Sequence, residues 1–116
     1  MESGQSGSGG EISREEVNRE VVFRRVARSE YDEAEAWYEG EQAGLGLEFK
    51  SAVDGLLALV AQQPMLFRQV RGPVRRAVLK RFPYTIHFLD EPLRIVVLAV
   101  FHAARDPGEL RQRHPI

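Results

Sequence analysis

The sequence predicts an α+β domain in which an N-terminal strand is followed by a helical hairpin that packs on a mainly antiparallel sheet of three to four strands. Two observations predict this class. Apolar residues recur with a period near 3.6 between Tyr31 and Val60, and with a period near 2 from Val74 onward. The length of 116 residues, with 43% hydrophobic and 28% charged residues, is typical of one soluble domain.

The first twenty residues have little to bury. Residues 1–10 contain four Gly and three Ser, and residues 11–20 are mostly charged. Such a composition is typical of a flexible segment, either native or an artificial linker. We therefore expect a flexible lead over residues 1–20 and a single domain over residues 21–116.

A strand and two helices are predicted in the first half of that domain. Val21–Phe23 is β-branched and aromatic, which is typical of a strand. A helix should begin at Ser29 and end at Gly40, with Trp37 and Tyr38 in the core. After a glycine corner, apolar residues at helical spacing predict a second helix that a proline ends: Phe49, Val53, Leu56, Leu57, Val60 and Pro64.

Three strands and a short basic tail are predicted for the second half. Val74–Leu79 is rich in β-branched residues, and Tyr84–Leu89 alternates between apolar and polar residues, which directs His87 to solvent or a loop. Asp90–Pro92 has turn chemistry. Leu93–His102 is apolar on both faces, so we expect a central strand that is covered on both sides.

The charge is divided unequally along the chain, although the formal net charge is only −1. Residues 1–63 carry six Arg/Lys against thirteen Asp/Glu, and residues 64–116 carry ten against four. No acid occurs between Gly55 and Leu89. The basic residues of this acid-free window are Arg68, Arg71, Arg75, Arg76, Lys80 and Arg81. Such a block attracts phosphate, an acidic protein surface or the acidic half of the same chain.

Several classes of function are excluded by composition. The longest apolar run, Ile95–Phe101, is too short to cross a bilayer as a helix, so we expect no membrane association. The chain has no cysteine, its three histidines lack ligand spacing, and its glycines match no nucleotide-binding fingerprint. We therefore expect a cytoplasmic protein without a metal or other cofactor.

Short segments in a fixed order carry a resemblance to a known family. They are Ala34–Tyr38, Gly44–Gly46 with Phe49, Pro64, Arg81–Tyr84, and Ile95–Val100 running into His102 and Arg105–Pro107. Together they make the chain from Val21 to Arg113 resemble the RelE/ParE superfamily of type II toxin–antitoxin systems. The resemblance implies a small toxin that a cognate antitoxin holds inactive in a hetero-oligomer, with operator DNA bound only through the antitoxin.

The family contains two mechanisms, and the residues favour one of them. RelE-like toxins cut messenger RNA on the ribosome, which needs a general base, a cation and a general acid. Arg81 matches the cation and His102 the acid, but the carboxylate base is missing from the acid-free window, so that only Lys80 is left to replace it. ParE-like toxins, which poison DNA gyrase, need no such base. The sequence favours a ParE-like, non-catalytic gyrase inhibitor, and an mRNA endoribonuclease or a non-toxic antitoxin-binding module remain alternatives.

The candidate target-binding residues are basic and belong to the second half of the chain. They are Arg75, Arg76, Arg81, His102, Arg105, Arg111 and Arg113. The antitoxin has two candidate positions. A basic antitoxin would cover the acidic outer face of residues 30–41, and an acidic one would cover residues 75–81, which is the simpler way to mask the target-binding charge. A carboxylate within bonding distance of both Arg81 and His102 would favour the nuclease.

Overall fold

The computed structural model describes residues 19–104, which form one mixed sheet with two helices on one of its faces. The elements in chain order are β1 Glu20–Phe23, α1 Arg25–Glu41, α2 Leu45–Gln62, a 3₁₀ turn Pro64–Leu66, β2 Arg68–Arg71, β3 Val74–Val78, β4 Tyr84–Asp90 and β5 Arg94–His102. The predicted α+β class is confirmed. Most of the predicted lead, residues 1–18, and the whole predicted basic tail, residues 109–116, lie outside the described residues.

The sheet has five strands in the order β1-β5-β4-β3-β2, with β1 parallel to β5 and all other neighbours antiparallel. The prediction of three to four strands was therefore too low. The additional strand is β2, whose four residues are Arg, Gln, Val and Arg. A polar edge strand of this length has no apolar alternation that would reveal it in the sequence.

Helix α1 begins earlier than predicted and buries a different set of residues. It begins at Arg25 rather than Ser29, because the Arg24 amide donates to the Val97 carbonyl at 2.9 Å and the chain turns directly from strand into helix. The buried residues are Ala27, Tyr31, Ala34 and Tyr38. Trp37 lies beside this stripe and is 59% exposed, so its predicted place in the core was wrong.

The corner between the helices depends on Glu39 and two glycines. Gly44 has a φ of +90°, a left-handed conformation that favours glycine. The Glu39 carboxylate accepts hydrogen bonds from the Gly44 and Gly46 amides at 2.9 and 3.0 Å, which satisfies donors at the start of α2. A Cβ atom at Gly46 would lie 2.7 Å from the Glu35 carbonyl oxygen, so the two helices approach closely only because this residue is glycine.

The core lies between the helical hairpin and the sheet, with an aromatic group at its centre. Tyr38 and Phe49 stack at a centroid distance of 5.2 Å, and Phe82 and Tyr84 make edge contacts with both rings. Burial raises the pKa of the Tyr38 hydroxyl, and burial followed by the charge interaction with Tyr38 raises the pKa of the Tyr84 hydroxyl. The fold therefore fixes the adjacent ends of β4 and β5 against both helices.

Strand β5 is buried on both faces, as its sequence predicts. Ile95–Phe101 is buried throughout, and a second apolar cluster lies on the sheet face opposite the helices. His87 belongs to that face and is only 6% exposed, with its ring 5.5 Å from the ring of Phe101. The prediction that His87 faces solvent was wrong, because the register pairs it with Ala99 in the interior of the sheet. No helix within residues 19–104 is long and apolar enough to cross a bilayer.

Candidate functional site

The two residues that match a nuclease site lie at the same end of the sheet. Arg81 precedes β4 and His102 ends β5, and the antiparallel register pairs Tyr84 with His102. However, Arg81 and His102 line different pockets, one against α2 and the other against α1. The sequence proposed both residues for one nuclease site, and that proposal stays a prediction.

Arg81 lies in a pocket of about 250 Å³ beside α2, together with Lys80. Its guanidinium donates a hydrogen bond to Glu48 at 2.7 Å and lies 5.3 Å from the centre of the Phe82 ring. Both members of this ion pair are largely exposed, so water screens their attraction. Arg81 is thus already paired with a carboxylate from α2 that the sequence did not associate with it.

His102 lies in a pocket of about 230 Å³ beside α1. Its ring contacts Tyr84 edge-on at 5.3 Å, and its Nδ1 atom accepts a hydrogen bond from the Ala104 amide at 3.0 Å. A neutral imidazole that accepts at Nδ1 carries its proton on Nε2. His102 therefore stabilises the turn that follows β5.

The pocket beside α1, here called the acidic pocket, is lined by Glu30, Glu33, Ala34, Trp37, Tyr84, Val100 and His102. The four helical members have the spacing i, i+3, i+4 and i+7, which places them on one stripe of α1. Glu30 accepts a hydrogen bond from the Val100 amide at 2.9 Å, so its carboxylate is held against β5. The sequence did not identify this pocket, because its two walls are about 70 residues apart in the chain.

No carboxylate of residues 19–104 is bonded to both Arg81 and His102. Glu48 pairs with Arg81, whereas Glu30 and Glu33 line the pocket of His102. Cleavage of RNA needs a base, a cation and an acid around a single phosphate. The two pockets as they stand do not bring these groups together.

Arg75 and Arg76, which the sequence treats as one basic pair, point to opposite faces of β3. Arg75 donates to the Phe67 carbonyl at 2.7 Å and contacts the Met65 sulfur, so it holds the 3₁₀ turn against the sheet. Arg76 is exposed on the face away from the helices, and Arg68 lies directly opposite it on β2. Only Arg76 of the two is available to a target.

Three arginines on β2 and β3 form what we call the basic hairpin face: Arg68, Arg71 and Arg76. Like charges directly opposite each other on neighbouring strands are unfavourable unless an anion lies between them. Among residues 19–104, none of the three forms an ion pair. The sequence did not select Arg68 and Arg71, although the acid-free window already contained both.

The remaining site predictions concern the C-terminal tail and metals. Arg105, Arg111 and Arg113 lie outside the described residues. Within the described part of the chain, no group of three or more His, Asp or Glu side chains is placed to hold a metal ion. The absence of a cofactor stays a prediction.

The helical hairpin on a mainly antiparallel sheet agrees with the fold that the resemblance in the sequence implied. The sequence profile of the ParE toxin of the type II toxin–antitoxin system parDE matches residues 21–107. The chain therefore belongs to the ParE toxin family.

Solved structures agree with this fold. A chain of the chromosomal ParDE toxin–antitoxin system from P. aeruginosa superposes with a TM-score of 0.64 at 16% sequence identity. The match covers 73% of this chain and 96% of that chain. The curated proteins contain no significant sequence match. At this identity the structural likeness supports the fold, and the family assignment comes from the sequence profile.

Proposed function

We propose that this protein is a growth-inhibiting toxin that binds DNA gyrase on DNA and does not cut messenger RNA. The observation that carries the proposal is the separation of Arg81 and His102 into two pockets with different acidic neighbours. A ParE-like toxin needs only a binding surface, and this chain has an exposed one.

The basic hairpin face is the surface that we assign to the gyrase–DNA complex. Arg68 and Arg76 are exposed and lie opposite each other, with Arg71 on the same face. Phosphates of a DNA segment would relieve the repulsion between these cations, and release of counterions would favour binding. Arg75 and Arg81 contribute less, because both side chains already bond within the protein.

A cognate antitoxin is the second partner that we propose. Membership of the ParE family supports it, and the solved relative belongs to a ParDE toxin–antitoxin system. Since gyrase, ribosomes and a co-expressed antitoxin share one compartment, we also propose that the protein acts in the cytoplasm.

The second candidate function is ribosome-dependent cleavage of mRNA. Its support is that Lys80 and Arg81 line one pocket and both are exposed. A lysine beside an arginine supplies a proton acceptor and a cation, once the lysine loses its proton. The general acid of this mechanism would be His102, which lines the acidic pocket and would have to move toward Lys80 and Arg81.

One protein preparation tests both candidates. The same toxin is added to a gyrase supercoiling reaction and to ribosomes carrying a labelled message. We expect inhibition of supercoiling, with an intact message. The Arg81→Gln variant should inhibit gyrase as well as the wild type does.

Two other outcomes would overturn this proposal. If the toxin cleaves the message and leaves supercoiling unaffected, and if Lys80→Met and Arg81→Gln each abolish the cleavage, the nuclease replaces the gyrase inhibitor. A preparation inactive in both reactions, whose expression leaves cells dividing normally, would favour the non-toxic antitoxin-binding module.

A further inference from the structure

The acidic pocket combines two features that suit a binding site for a partner. Its helical wall carries the carboxylates of Glu30 and Glu33, and its rim carries the indole of Trp37, which is 59% exposed. Trp37 is the only tryptophan of the chain. Large aromatic residues are enriched where proteins bind partners, because they bury much area at little entropic cost.

The pocket is held in shape by the fold. Glu30 bonds the Val100 amide at 2.9 Å, and the Trp37 ring packs edge-on against the buried Tyr38 at 5.0 Å. On the opposite wall, Tyr84 and His102 contact each other and are paired in the register of β4 and β5. A ligand would therefore meet side chains that are already positioned, which lowers the entropic cost of binding.

The charge of the pocket selects the ligand. Glu33 is exposed and forms no ion pair within residues 19–104, and among these described residues His102 is the only basic residue in the lining. A guanidinium group can donate paired hydrogen bonds to a carboxylate while its flat face lies on an indole ring. A volume of about 230 Å³ is enough for one such side chain.

We propose that the acidic pocket anchors the cognate antitoxin by accepting one of its arginine side chains, between Glu33 and Trp37. This inference rests on the proposed toxin–antitoxin function and specifies where and by which chemistry the partner binds. It places the antitoxin on α1, on a surface separate from the basic hairpin face. The antitoxin that fits is basic at its anchor rather than acidic throughout.

The test uses the full chain and the protein encoded by the reading frame next to the toxin gene. Their binding is measured by calorimetry and by the fluorescence of Trp37. Because Trp37 is the only tryptophan of the toxin chain, the toxin's emission reports on this pocket. We expect Glu33→Gln to weaken binding by about tenfold or more, because it removes one charge-assisted hydrogen-bonding partner. Glu41→Gln is the matched control, since Glu41 is an exposed acid on the same helix and outside the pocket lining.

A second measurement identifies the bound group. A short arginine-containing peptide taken from the antitoxin is compared with the same peptide carrying citrulline, which has nearly the same shape and no charge. We expect the arginine peptide to shift the Trp37 emission of the wild-type toxin but not that of the Glu33→Gln variant. The citrulline peptide should bind the wild-type toxin at least about tenfold more weakly than the arginine peptide does.

Equal binding of wild type and Glu33→Gln, or of the arginine and citrulline peptides, would overturn the proposal. None of these results depends on gyrase. Failure of the anchor would leave the supercoiling result intact, and a toxin without effect on gyrase would leave the binding result intact.

Discussion

The acidic pocket and the basic hairpin face differ in charge, in the elements that build them, and in how well the sequence predicts them. The pocket is built by α1 against β4 and β5, over the main core. The basic hairpin face lies on β2 and β3, at the edge of the sheet farthest from β1. The unequal charge along the chain therefore persists in space, so that this small domain offers two surfaces for partners of opposite charge.

In the described part of the chain, few ion pairs join the acidic half, up to residue 63, to the basic half that follows it. Within residues 19–104, ion pairs between them are formed by Arg81 with Glu48 and by Arg19 with Asp90. The other ion pairs, Arg28 with Asp32 and Arg94 with Glu91, are local. The cations of the basic hairpin face are thus left for a ligand, which is the property that the proposed function needs.

Reversing the charge of the basic hairpin face should have the largest effect. We expect Arg68→Glu combined with Arg76→Glu to raise the toxin concentration needed for gyrase inhibition by about tenfold or more, because two phosphate-binding cations become anions. A supercoiling assay measures this. The control is Arg24→Glu with Arg25→Glu, two exposed positions near the start of α1 where acids are tolerated. Equal loss in both double variants would mean that only net charge matters.

Replacing Gly46 by alanine, at the corner between α1 and α2, should have the next largest effect, a loss of folding stability. Gly46→Ala places a Cβ atom 2.7 Å from the Glu35 carbonyl oxygen, so the backbones of α1 and α2 must move apart at this corner. We expect the free energy of unfolding to fall by about 2 kcal/mol. Urea denaturation measures the change. Gly55→Ala, with open space around its Cβ, should instead stabilise the helix slightly, by about 0.5 kcal/mol. Similar destabilisation at both glycines would refute the steric explanation.

The contribution of Tyr31, on the buried side of α1, to folding stability should decrease at alkaline pH. Burial, and then the charge of Asp54 with its 3.1 Å hydrogen bond, raise the pKa of Tyr31 well above 10.0. The unfolded chain ionises this group near pH 10, so its contribution is complete below that pH and declines as the pH rises further. Tyr31→Phe should cost about 1 kcal/mol at pH 8. The difference from wild type should stay constant up to about pH 10 and shrink above that pH, and a difference that grows there would contradict the assignment.

Removing the ion pair between Glu48 of α2 and Arg81 should have the smallest effect on the free energy of unfolding. Glu48→Gln leaves Arg81 without its carboxylate, but both side chains are largely exposed, so we expect a loss below about 1 kcal/mol. The loss should diminish further in high salt. Thermal unfolding at two salt concentrations checks this. A loss that salt does not reduce would indicate that the pair contributes through packing and not through charge.

The sequence predicted the buried elements better than the exposed ones, for identifiable reasons. The periodicity of Phe49 to Val60 and of Ile95 to Phe101 is strong because these segments are buried, and both were found in the predicted elements. Strand β2 and the exposure of Trp37 were missed. A short polar edge strand lacks a pattern, and the side of α1 on which Trp37 lies depends on which neighbouring residues face the sheet.

The sequence by itself determined the class of the domain, the division of charge and the absence of acids between residues 55 and 89, because period and composition are properties of the chain alone. The tertiary structure decided which charges meet. It paired Arg81 with Glu48, separated Arg75 from Arg76, and brought α1 to the end of β5 to form the acidic pocket. Contacts between residues distant in the chain depend on strand register and helix packing, which no local pattern specifies.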